Sequence, residues 1–176
     1  MAVDHVKSTP VTNLDATPVV QNTTGEGAPG MLRTVNGSAV AVAASSIGAT
    51  YQFVRVPSNA KVKHVFFESA AQAVGVGDIG VYYATDGKGG QPTALLAAAA
   101  IDQDFFASLV SLAAASAITD VTNESGTYTA DKRNQPLWQA IGLTSDPGVS
   151  FDIVLTLTTA ITTGLGLMGM EVQYVE

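Results

Sequence analysis

The stretch Tyr51-Gln52-Phe53-Val54-Arg55-Val56-Pro57-Ser58-Asn59-Ala60-Lys61-Val62-Lys63-His64-Val65-Phe66-Phe67-Glu68 decides the fold. Tyr, Phe and Val alternate with Gln52 and Arg55 as far as Pro57, and a second apolar-rich run, 62–68, follows the Ser58-Asn59 turn. β-branched and aromatic residues at period two, broken by a turn pair, read as strands with one buried face. The same grammar continues on both sides. Upstream, Asn36-Gly37 separates 31–35 from 38–44 and reads as a hairpin turn, since Asn-Gly readily takes the positive φ of a type I′ turn. Downstream, residues 79–84 form a strand closed by Asp86-Gly87-Lys88-Gly89-Gly90. The stretches 93–101 and 105–115 carry alanines that favour helix, but the turns around them favour strand. Residues 128–130 pair briefly. Pro136 to Gly142 reads as one helical turn with Pro at its start and Gly as its stop. Asp146-Pro147-Gly148 leads into a strand at 150–158, and 168–175 is the last strand. The expected fold class is all-β, a β-sandwich of about eight strands with a jelly roll as its natural topology and at most one short helix.

Composition bounds the function. The 176 residues hold no cysteine, which excludes disulfides, thiolate metal sites and a cysteine nucleophile. Two histidines, His5 and His64, are too few for a multi-histidine metal centre. Only 13% of residues are charged, against about 25% in an ordinary soluble domain. A surface so poor in Lys and Glu resembles the contact area of an assembly. The net charge of −7 and the scattered basic residues argue against nucleic acid as a partner. The first ten residues lack the apolar core of a secretory signal. The uncharged run 153–170 has the length of a membrane span, but its threonines, glycines and initial alternation read as strand and turn, so no membrane partner is expected.

Residues 1–30 differ from the body at 31–176. They hold Pro10, Pro18 and Pro29 among many Thr, Asn and Gly, with isolated apolar residues. Such a segment buries too little to offset its own ordering entropy, so it reads as an extended N-terminal arm held by other contacts. Its apolar residues Val11, Leu14, Val19 and Val20, with Met31 at the start of the body, are the candidate protein-interface residues. At about 3.3 Å per residue such an arm reaches up to roughly 100 Å, enough to strap a neighbour or add a strand to its sheet edge.

The motifs that resemble chemistry read as structure. Gly75-x-Gly77-x-x-Gly80 runs into a strand, and Gly164-x-Gly166-x-x-Gly169 leaves too little chain for the helix and acid of a dinucleotide site. Asp102-Gln103-Asp104 places two carboxylates at alternate positions but most simply marks a loop between apolar runs. His64, beside Lys61 and Lys63, has no acid or nucleophile at a recognisable spacing and reads as a solvent-facing or interface residue. Ser45-Ser46-Ile47-Gly48 lacks the first glycine of a nucleophile elbow. Trp138, Tyr51, Phe53, Phe66, Phe67, Tyr82 and Tyr83 are aromatics that stack sugars in some sandwiches, and here sit inside apolar strands. The expectation is a protein that is not an enzyme and has no catalytic, cofactor-binding or metal-binding residues.

From about residue 51 to 175 the chain resembles small β-rich virion proteins of tailed bacteriophages. The resemblance rests on Val54-Arg55-Val56-Pro57, Asp78-Ile79-Gly80-Val81-Tyr82-Tyr83, Asp104-Phe105-Phe106-Ala107-Ser108, Gln135-Pro136-Leu137-Trp138-Gln139-Ala140-Ile141-Gly142-Leu143 and Val172-Gln173-Tyr174-Val175. It implies a capsid decoration (cement) protein that binds the major capsid protein lattice and neighbouring copies of itself, as a dimer or trimer. It also implies a place on the capsid exterior of the virion after synthesis in the host cytoplasm. The competing expectation is a carbohydrate-binding sandwich module of a head fibre or tail.

Overall fold

The computed structural model of the chain describes residues 5–20, 32–84, 100–163 and 165–176. Nine strands lie in that range: β1 (His5–Lys7), β2 (Leu32–Val40), β3 (Thr50–Pro57), β4 (Lys61–Ser69), β5 (Val76–Tyr83), β6 (Ala100–Ser111), β7 (Ser116–Asp120), β8 (Ser150–Thr159) and β9 (Leu167–Val175). Two short α-helices accompany them, α1 (Thr9–Asp15) and α2 (Leu137–Ala140), with one 3₁₀ turn at Lys132–Asn134. The strands form two sheets, ordered β1-β3-β8-β5-β6 and β2-β9-β4-β7. Without β1, each sheet has four strands, and from β2 to β9 the chain changes sheet at every step except between β5 and β6. That is the jelly-roll order, and the all-β sandwich is as expected.

Bulges set which side chains enter the core. Phe53 is the extra residue between Gln52 and Val54 in the β3–β8 ladder. Phe53 and Val54 are therefore both buried in the core, while Gln52 and Arg55 share the opposite face. Lys63 shifts β4 against β9 in the same way, putting Val62, Val65 and Phe67 inside and His64, Phe66 and Glu68 outside. A larger irregularity lies between Ile79↔Ala107 and Val81↔Asp102 in the β5–β6 ladder. It turns the adjacent Phe105 and Phe106 inward, where each ring packs on Tyr128 at 5.2 and 5.1 Å between centroids. The Tyr128 hydroxyl donates to the Val62 carbonyl at 2.6 Å, so this buried ring leaves no polar atom unsatisfied. At the bulge, a side chain on Gly80 would run into the carbonyls of Asp102 and Gln103.

Several expectations are corrected. Asn36-Gly37 is not a turn: both lie inside β2, which pairs with β9 through an unbroken register from Leu32↔Val175 to Val40↔Leu167. Gly37 is absent from the positive-φ residues that a type I′ turn requires. Its lack of a side chain serves a close approach instead, because a Cβ there would collide with the Phe53 carbonyl across the sandwich. Asp102-Gln103-Asp104 lies within β6 and not in a loop. Residues 128–130 form no strand; Tyr128 is fixed by its side chain. The helical turn after Pro136 is present as α2, ended by Gly142 at φ +88°. A second helix, α1, exceeds the expected maximum of one. Within residues 1–30, β1 pairs parallel with β3 and α1 packs against β3 and β2. The turn at 86–90 and residues 93–99 of the strand expected at 93–101 lie outside the described residues.

Replacing Gly37 with Val tests the close approach. The expected result is a loss of about 3 kcal/mol in stability, from overpacking against a backbone that must shift. It is read as a lower urea midpoint at unchanged slope. An unchanged midpoint would contradict the tight crossing of β2 over β3.

Candidate functional site

Four connections, 41–49, 70–75, 112–115 and 160–166, contain no Asp, Glu, Lys, Arg or His. The fold brings all four to one end of the sandwich. Ala41 N–H donates to the Gly166 carbonyl at 3.0 Å, Gly48 N–H to Leu157 at 2.8 Å, and Ile161 N–H to Ser45 at 3.0 Å. Gln72 N–H reaches the Leu112 carbonyl at 2.9 Å, and the Gln72 side-chain oxygen accepts from Gly166 N–H at 3.2 Å. The loops thus satisfy one another's backbone groups and form a knit surface. On and beside it, large apolar side chains face solvent: Leu165 is 74% exposed, Ile47 64%, Leu167 53%, Val40 51% and Val74 43%. Val40 and Leu167 are direct cross-strand partners, so their side chains make one patch. Contiguous exposed apolar surface of this kind marks an interaction site.

The outer face of the β2-β9-β4-β7 sheet carries a second feature. Cross-strand rows there read Phe66–Glu171–Asn36 and Glu68–Gly169–Ser38. Gly169 leaves a notch in the sheet, and a hollow of about 360 Å³ opens over it, lined by Phe66, Glu68, Ile118 and Glu171 among others. Beside it, His64 stacks on Phe66 at 5.5 Å, and its Nδ1 lies 2.8 Å from the Asp120 carboxylate. Burial opposes the Asp120 charge, but hydrogen bonds from Thr122, then His64, outweigh it and hold the carboxyl below its ordinary range.

The outer face of the other sheet is occupied by the chain's own N-terminal segment. Asp152 on β8 is fully buried and takes two hydrogen bonds from Arg55, Nε at 2.6 Å and Nη2 at 2.9 Å. Arg55 Nη1 reaches Asp15, the last residue of α1, at 2.7 Å, and Lys7 of β1 reaches the other Asp15 oxygen at 2.5 Å. Cation and anion alternate along this chain of four. Burial opposes the Arg55 charge, but the bonds and charge of Asp152 and then Asp15 raise its pKa. Desolvation pushes Asp152 upward, against the pull of Arg55. Ser8 N–H donates to the Gln52 carbonyl at 2.6 Å, and the Ser8 hydroxyl donates to the Phe53 carbonyl. Together these bonds latch β1 and α1 onto β3.

The candidate interface residues scatter over this latch. Val11 is fully buried, Leu14 is half-buried, and Val19 and Val20 are 48% and 49% exposed. Met31 lies outside the described residues. Of the motifs, Gly77 and Gly80 both sit inside β5, where neighbouring strands come close, and Gly164 is not among the described residues. Asp102 is raised by desolvation and by a hydrogen bond with Asp104, and among the described residues no group of three or more acids or histidines is placed to hold a metal ion. The acid beside His64 was missed because Asp120 is 56 residues away. Asp120 binds both Thr122 and His64, whereas a relay needs histidine between acid and nucleophile. Ser45 bonds the Tyr51 hydroxyl at 3.0 Å inside the fold. Tyr51, Phe53, Phe67 and Tyr82 are buried, and Trp138 packs against the core.

No protein-family profile matches the chain, and no curated protein matches it. Solved structures do. A chain of the structure titled "Capsid of Ralstonia phage GP4" shares the fold at a TM-score of 0.61 and 11% identity, over 97% of both chains. A chain of the "Cyanophage Pam1 capsid asymmetric unit" aligns at a TM-score of 0.49 and 15% identity, over 91% of this chain and 95% of that one. The first of these, a chain of a phage capsid structure, shares this fold essentially end to end.

The latch is tested by taking out its centre. Arg55→Ala leaves Asp152 buried and unpaired and is expected to cost about 3–5 kcal/mol. Asp15→Asn, at the half-open end of the chain of charges, is expected to cost about 1 kcal/mol. Equal costs in denaturant titrations would contradict the graded burial.

Proposed function

We propose that this chain is a structural protein of a phage virion, one that decorates the capsid from outside and cements the lattice of the major capsid protein. The observation that carries the reading is the charge-free end. In a chain of net charge −7, all ionic groups are kept off four connections that meet on one surface. A surface facing only water gains nothing from that, whereas a surface meant for protein contact avoids burying unpaired charges. Burying what remains exposed of five Val, Ile and Leu side chains contributes on the order of 5 kcal/mol per copy, and many copies multiply it over a shell. The end-to-end likeness to a capsid chain of Ralstonia phage GP4 supports the choice of a capsid as the assembly, although a shared fold by itself assigns no role. Val19 and Val20, exposed beyond α1, extend the contact toward a neighbouring copy or the shell. In this reading the protein contributes adhesive area and carries out no reaction.

The test places a charge where the chain has none. Ile47→Lys combined with Leu165→Lys alters two largely exposed side chains and is expected to leave thermal stability unchanged. Co-sedimentation with purified heads is expected to fall by at least tenfold, since each buried lysine costs more than the roughly 1.4 kcal/mol that a factor of ten requires. Full occupancy by the double variant would overturn the reading.

A further inference from the structure

The hollow on the outer face of the β2-β9-β4-β7 sheet adjoins the Val40–Leu167 pair but includes neither that pair nor the charge-free loops. Three of its properties converge on one kind of guest. First, it is negative without internal compensation. Glu171 accepts a hydrogen bond from Gln173 at 3.0 Å, and among the described residues neither Glu171 nor Glu68 is ion-paired with Lys or Arg. The nearby histidine is already engaged with Asp120. Second, Gly169 sets where one carboxylate lies: with no side chain there, Glu68 opposite folds down over the strand, and a Cβ would come within 2.7 Å of its carboxylate. Third, the walls flanking the carboxylates are apolar, formed by Phe66 and by Ile118, which is 59% exposed. Glu68 and Glu171 are diagonal neighbours across a β ladder, which separates their backbones by about 7 Å.

We infer that this hollow receives an arginine side chain projecting from a partner protein. A guanidinium carries five N–H donors in a planar fork, so it reaches two carboxylates at once while its flat face lies on an aromatic ring. Phe66 supplies that ring, and its partner His64 on the far side keeps it in place. A lysine ammonium matches the charge but not the plane. The inference goes beyond the proposed function, because a protein that lost this hollow would still hold its partner through the charge-free end.

The experiment titrates the full chain with N-acetyl-arginine amide at low salt, followed by amide chemical shifts. Saturable shifts are expected at 66–68, 118 and 169–171. They should weaken at least tenfold with N-acetyl-citrulline amide, which has nearly the same shape and no charge, and in high salt, which screens exposed charges. The Glu68→Gln/Glu171→Gln variant is expected to lose the response. Gly169→Val is expected to lose it too, although it keeps both carboxylates, and its thermal midpoint shows whether the sheet is intact. Equal shifts with arginine and citrulline amides, or no localised shift up to the solubility limit, overturn the inference. So does a neutral sugar such as N-acetylglucosamine filling the hollow where arginine does not. Ile47→Lys/Leu165→Lys is expected to leave this titration unchanged, so the two readings fail separately.

Discussion

The antiparallel succession of strands governs where everything else on this molecule goes. Each strand from β2 to β9 reverses the one before it, so every second connection returns to the same end of the sandwich. The connections β2–β3, β4–β5, β6–β7 and β8–β9 therefore meet, however far apart they lie in the chain. In this protein those four are the ones free of charge. The opposite end takes the long segment 121–149, with Glu124, Asp131, Lys132, Arg133 and Asp146. The result is a polar body with one apolar pole.

A sandwich this size also has to close its open sides. On the side of β3, the chain's own N-terminal segment does it: β1 extends the sheet, α1 lies over it, and Lys7 and Asp15 join the buried Arg55–Asp152 pair in a row of four alternating charges. The latch is polar because the face it covers is polar. Gln52, Arg55, Asp152 and Thr156 are all turned away from the core and all buried. Paired ions in such a place cost desolvation, and they fix the register of the covering segment better than apolar contact would. On the other sheet, the outer face stays open, with its glycine notch and two glutamates.

Much of the fold was legible from period-two alternation punctuated by turns, because both signals act locally. The strands around Tyr51, Phe67, Val81, Ile153 and Val172 fall where their pattern places them. Asn36-Gly37 misleads because the strongest turn pair also suits a strand that crosses another backbone closely, and only the partner strand decides between the two. The spacing of Gln52 and Arg55 hid a bulge at Phe53, visible afterwards as a skipped beat in the alternation. The latch could not be read, since Asp152 and Arg55 are 97 residues apart and no local spacing rule connects them. The pole was half legible: the uncharged run 153–170 stands out in the sequence, but its meeting with 41–49, 70–75 and 112–115 exists only in the topology.

The account stands on which pole touches the shell, and the absence of cysteine makes that directly measurable. Single cysteines at position 165, on the charge-free end, and at position 131, on the opposite end, report alkylation rates for free protein and for protein bound to heads. The account expects position 165 to become protected on binding while position 131 reacts at its free rate. Protection at 131 with continued reaction at 165 would contradict it.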